Sequence, residues 1–156
     1  MIRSKLVLAL LSVALLALTI PASSLAGHNT TELSTKMKGK FVVPDDGAPK
    51  GKALLDVFLK PNQKKLCFNF QANRLDTLTG GTIAKAPEGN AARTKVTFFK
   101  SQGVSGDGSY EGCVKNVHGN LLKRMAKSPE KFYAQITSKA YPQGAVRGQL
   151  ALSDGF

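Results

Sequence analysis

No tryptophan occurs in the 156 residues, and the aromatic set is eight Phe and three Tyr. The Phe residues of the apolar runs alternate to one side, so a platform for stacking bases is missing and nucleic acid is the weaker polyanionic partner. Histidine is scarcer still, with only His28 and His118. Neither stands in a recognisable frame with a Ser or Cys nucleophile, and "GVSGDGS" lacks the strand–elbow–helix setting of a hydrolase serine. Ten acidic residues are present. Their one adjacent pair, Asp45-Asp46, sits in a turn that favours Asp for backbone reasons. The expectation is a domain that neither catalyses nor takes a cofactor.

The longest uncharged apolar run, Leu6 to Ile20, has 15 residues, short of the roughly 18 to 20 that span a bilayer. Arg3 and Lys5 precede it, Pro21 breaks it, and Ser24-Leu25-Ala26 places small residues where a signal peptidase reads. Residues 1–26 therefore read as a secretory signal peptide cleaved after Ala26, which makes the protein secreted or periplasmic. Cysteine is limited to Cys67 and Cys113. In an oxidising compartment one disulfide is expected, with metal ligation or a catalytic thiol disfavoured because no histidine lies near either.

Positive charge is abundant. With Arg3 and Lys5 removed, 20 basic residues face 10 acidic ones, a net charge of +10. Such a balance suits contact with polyanions such as nucleic acid, acidic polysaccharide or anionic lipid head groups, and it also suits a solvated surface. Lys123, Lys127 and Lys131 recur at i, i+4 and i+8 with Arg124 beside the first, a basic stripe if a helix continues past Pro129. Lys50, Lys52, Lys60, Lys64 and Lys65 crowd the first turns. A mature end beginning Gly27-His28 offers an amine, an amide nitrogen and an imidazole, a donor set for Cu²⁺. An incidental histidine in a polar end is the alternative.

Residues 27–36 are polar and read as a flexible leader. Short β-type runs follow, separated by turn signals. "KGKFVVP" is the first and "KALLDVFLK" the second. "KKLCFNFQA" turns Leu66, Phe68 and Phe70 to one face and Cys67 to the other. A short run spans Thr82 to Ala84, and after the loop "APEGNAAR" come "TKVTFFK" and "YEGCVKNV", divided by the Gly-rich "SQGVSGDGS". One helix is expected, "GNLLKRMAKSPEKF", with Asn120 as a candidate cap. A C-terminal hairpin closes the domain at residue 152, and residues 153–156 form a tail. The fold class is all-β: an antiparallel, Greek-key-like β-sandwich of seven to eight strands with one short helix before the hairpin.

The hairpin, "KFYAQITSKAYPQGAVRGQL", resembles the signature end of the CHRD (chordin-type) domain family. Tyr133, Pro142, Gly144, Val146, Arg147, Gly148, Gln149 and Leu150 carry the match. "KLCFNF" is similar to the family's first Cys-containing strand, and "GCVKNVHGNLLKRMAKSPEKFY" to its second Cys, short helix and entry to the hairpin. The resemblance, over about residues 37–152, implies a non-catalytic extracellular binding domain, with anionic surface polymers or an extracellular protein as partner. Where the family commonly carries three histidines, this chain has Thr82, Ala84 and Thr137, so a histidine metal site is not implied here. Within the hairpin, Pro142 and Gly144 suit a turn, Gly148 suits a close backbone approach, and Arg147 is expected to meet a carboxylate or loop carbonyls.

Overall fold

The computed structural model describes residues 30–153. The expected signal peptide, residues 1–26, and the candidate Cu²⁺ donors Gly27-His28 lie outside the described residues. Nine strands form among the described residues: β1 (Thr31–Lys38), β2 (Lys52–Lys60), β3 (Lys65–Asn73), β4 (Leu78–Lys85), β5 (Thr94–Val104), β6 (Gly108–Val114), β7 (Phe132–Ser138), β8 (Val146–Gln149) and the short β9 (Ala151–Leu152). One helix, α1 (Gly119–Lys127), separates β6 from β7. All pairings are antiparallel, in the order β5-β4-β7-β8-β1-β2-β3-β6, with β9 added beside β1. The chain is all-β, as expected. β5 and β6 are consecutive yet stand at opposite ends of this order, so the sheet rolls until its edges approach.

Alternation drives the roll. In β2, Ala53, Leu55, Val57 and Leu59 point inward and are at most 3% exposed, while Lys52, Leu54 and Lys60 point out. Leu66, Phe68 and Phe70 of β3 face Phe98 of β5 across the interior, with the Phe68 and Phe98 ring centroids 5.2 Å apart. Leu122 and Met125 of α1, both fully buried, join the same core as β1 and β2.

Several expected boundaries move. The leader ends early, because residues 31–36 belong to β1: Leu33, Thr35 and Met37 are buried and the strand is paired along its length with β2. Its inward face spends one position on Thr35, which weakens the apolar signal. "KGKFVVP" is not a strand. Gly39–Phe41 forms a 3-10 turn, and a Cβ on Gly39 would lie 2.0 Å from the Ala48 carbonyl oxygen, so the chain bends there rather than extending. The Gly-rich stretch mostly extends β5 and β6, leaving a turn over residues 105–107. α1 stops at Lys127, and Pro129–Lys131 forms a separate 3-10 turn, because the proline lacks the amide that another helical turn needs. His118, not Asn120, occupies the N-cap position, and no side chain caps it.

Asp76 ties the β3–β4 loop to the closing hairpin. Its Oδ2 accepts the Ala140 amide at 2.7 Å. Burial pushes its carboxyl up, but the Ser138 hydroxyl, the backbone amides and the Lys139 charge outweigh this and hold it below the usual value. A depressed folded-state pKa stabilises above the unfolded value, and that contribution is lost as pH falls through the folded pKa. Asp76→Ala is expected to cost about 1 kcal/mol at neutral pH. The difference from wild type should shrink in acid, as read by urea midpoints at several pH values.

Candidate functional site

The outward face of β7 and β8 carries the hairpin motif. Tyr133 stands opposite Gln149, and Gln135 opposite Arg147. Residues directly opposite in an antiparallel ladder share a face, so these four side chains project together. The loop of residues 86–93 folds across them. The Tyr133 hydroxyl accepts the Ala92 amide at 3.2 Å. Gln149 donates through Nε2 to the Ala86 carbonyl at 2.8 Å and to the Glu130 carbonyl at 2.6 Å. Arg147 donates through Nη2 to the Asn90 carbonyl at 2.5 Å, and its guanidinium carbon lies 3.5 Å from the Tyr133 ring centroid. Gln135 holds the turn through the Gln143 carbonyl at 2.7 Å. Gly144, at φ 148°, closes that turn in a region that disfavours side chains. The motif is a clamp on the 86–93 loop, and Pro142 lies exposed at the hairpin tip.

The clamp buries a cation. Arg147 is 2% exposed, and its Nη1 is buried with no hydrogen-bond partner among the described residues. Burial pushes the guanidinium pKa down, opposed by Tyr133 and Glu88, yet an arginine stays protonated. Beside it, β1 and β8 pair at Lys38–Arg147, and β1 and β2 pair at Lys38–Lys52. Three cations therefore occupy one register across three adjacent strands, with Lys36 two residues away on the same face. Like charges directly opposite each other cost stability when nothing neutralises them. This face is lined on by the exposed Leu54, Gln71 and Asn73.

A family model for the CHRD domain matches residues 33–150. The chain belongs to the CHRD domain family. That membership supports a binding-type domain rather than a catalytic one. No curated protein and no solved structure matches the chain.

In this CHRD domain the cysteines of the two family strands meet. Cys67 of β3 stands opposite Cys113 of β6 and the two are disulfide-bonded. Of the four basic residues singled out around the helix, Lys123, Arg124 and Lys127 are exposed on α1, and the first and third flank a shallow groove with Pro61 and Asn62. Lys131 is exposed on the separate 3-10 turn, so the expected stripe from Lys123 to Lys131 is broken at Ser128. His118 is exposed at the start of α1. Thr82, Ala84 and Thr137, at the histidine positions of the family, lie on β4 and β7. There the Thr137 hydroxyl bonds to the Thr79 hydroxyl at 3.0 Å. Among the described residues no cluster of three His, Cys, Asp or Glu side chains could hold a metal ion.

Sequence reasoning did not find the cationic row. Lys38, Lys52 and Arg147 come from three strands far apart in the chain, and only the ladder register brings them together. The single available signal was the alternation of β1, which assigns Lys36 and Lys38 to one outward face once Leu33, Thr35 and Met37 are taken as inward.

Proposed function

We propose that this CHRD domain is a secreted or periplasmic, non-catalytic module that binds anionic polysaccharide across the outward face of β8, β1 and β2. The observation that carries the reading is the single register that Arg147, Lys38 and Lys52 share across three strands. A polyanion laid across the strands meets the exposed Lys36, Lys38 and Lys52 and relieves their mutual repulsion. The lysine stems and Leu54 add apolar surface beneath a sugar chain. The basic side of α1 is a second cationic surface and the natural rival location.

The test is retention of the mature protein on immobilised polygalacturonate and heparin across a salt series. Two variants serve, one with Lys36, Lys38 and Lys52 changed to Gln, the other with Lys123, Arg124, Lys127 and Lys131 changed to Gln. Both remove exposed charges only. The sheet variant is expected to lose most of its retention and most of the salt dependence, with the helix variant close to wild type. Loss confined to the helix variant would move the site to α1. Equal weak retention by all three proteins would reduce the charge to solubility and leave a protein partner as the reading.

A further inference from the structure

β1 and the β8–β9 segment keep one register, pairing at Leu33–Leu152, Ser34–Ala151 and Lys38–Arg147, but between these two segments no ladder pair forms at residues 35–37. A groove of about 360 Å³ lies over this opening, a volume within the range of small-ligand sites. Ser34, Lys36, Phe41, Gln149 and Glu88 of the clamped loop line it. Lys36 and Glu88 are exposed, and Ser34, Phe41 and Gln149 are half-buried. Arg147 belongs to the floor but offers the groove no donor, because Nη2 is engaged by Asn90 and Nη1 is buried. Gln149 donates through Nε2 to the Ala86 and Glu130 carbonyls, which leaves its side-chain oxygen as the polar atom for the groove. The lining therefore combines one aromatic ring, two acceptors, one hydroxyl and one ammonium. Lys36 also borders the neighbouring shallow face of Lys38, Lys52 and Leu54.

This set does not suit a bare anion, since the Glu88 carboxylate repels one and the floor cation makes no hydrogen bond to it. Nor does it suit an apolar chain, because four of the five lining side chains are polar. It matches a sugar ring. A pyranose presents C–H groups that pack against an aromatic side chain, and a rim of hydroxyls that donate to carboxylate and amide oxygens. From this chemistry we infer that the groove seats one pyranose ring of the bound polymer. Phe41 is the packing surface, Glu88 and the Gln149 Oε1 accept ring hydroxyls, and Lys36 links the groove to the cationic face, where the acidic groups of neighbouring units lie. The inference rests on the polysaccharide-binding reading and adds what charge alone does not give, a means of telling a sugar chain from any other polyanion. The ring belongs to a polymer or to a free sugar, and both present the same group.

The experiment is calorimetric titration of the mature protein at constant ionic strength with trigalacturonate, galactose and tripolyphosphate, an anion without a sugar ring. Saturable binding of trigalacturonate is expected, with galactose much weaker. Phe41→Ala should weaken trigalacturonate about threefold to tenfold and leave tripolyphosphate unchanged. Glu88 gives a test by sign. Glu88→Gln keeps an acceptor and removes a charge that repels the ligand, so binding of trigalacturonate should hold or tighten by up to about threefold. Glu88→Ala removes the acceptor as well and should weaken trigalacturonate while tightening tripolyphosphate. Glu88 is exposed, so its variants remain decisive if Phe41→Ala lowers stability. Four results would overturn the inference. Equal tightening of trigalacturonate by both Glu88 variants would reduce that residue to a charge. Weakening by both would make it a support for the loop through Arg147. Equal effects of Phe41→Ala on the two anions would leave the ring no role. Galactose binding as tightly as trigalacturonate would make the groove a free-sugar site and remove the polymer from it. If polygalacturonate retention still falls in the variant of Lys36, Lys38 and Lys52, any of these results sinks the groove and leaves the polymer-binding face standing. If that retention does not fall, the reading beneath the inference fails with it.

Discussion

Replacing Cys67 and Cys113 together with Ser is expected to destabilise the domain by about 4 kcal/mol in the chain-entropy model. The bridge joins residues 46 apart, so the unfolded chain regains the freedom of a long loop. The native side of the balance should change little, because the two residues are already direct partners in the β3–β6 ladder. The effect should fall first on β6. That strand has no buried residue along its length, and it ends the order of the sheet beside β3. Without the bridge, its amides should exchange with solvent well before those of β2. The melting point should drop by on the order of 10 to 20 °C. Cys113 is exposed, so a thiol reductant should reproduce the effect without denaturant. A shift of only a few degrees would show that the unfolded chain stays compact enough to make the bridge redundant.

The second large effect is expected at Gly148. A Cβ there would lie 2.3 Å from the Thr35 hydroxyl and 2.8 Å from the Lys36 carbonyl oxygen. The hydroxyl is a side-chain tip that can rotate, but the carbonyl belongs to β1, which is held on its other side by β2. Gly148→Ala must therefore push β8 away from β1, and overpacking of this kind costs about 1 to 3 kcal/mol. The double variant with Thr35→Ala removes one of the two obstacles and should recover part of the loss, but not all of it. Full recovery would place the whole cost on the hydroxyl. No loss in the single variant would mean that β8 and β1 are not packed this closely. Both outcomes are read from urea denaturation midpoints.

Much of the sheet could be read directly from residue order. β2 and β3 announce themselves because strict alternation of Leu, Val and Phe with polar residues has one structural reading, and the Pro61-Asn62-Gln63 turn between them is equally plain. β1 was obscured because its inward face includes Thr35 and its outward face is mostly Lys, Glu and Ser, a composition shared with flexible ends. The 3-10 turn at Gly39–Phe41 was hidden for the opposite reason. Phe41, Val42 and Val43 have strand propensity, but the tertiary approach of Ala48 to Gly39 overrides it. In the hairpin, the turn residues were legible as local chemistry. The clamp was not, since Tyr133, Arg147 and Gln149 act on the backbone of residues 86–92, which lie some 40 to 60 positions earlier. The helix-centred basic cluster followed from a period that Pro129 interrupts. The cationic row across β8, β1 and β2 depends on register between distant segments, and no local pattern encodes register.

The central claim is that anionic polysaccharide lies across the outward face of β8, β1 and β2. It is tested most directly by mapping amide chemical-shift changes on the isotopically labelled mature protein as a short oligogalacturonate is added. Saturable changes concentrated at Lys36, Lys38, Lys52, Gln149 and the Asn90 loop, with α1 silent, are the expected result. Changes confined to Lys123, Arg124 and Lys127, or spread evenly over every exposed lysine, would contradict it.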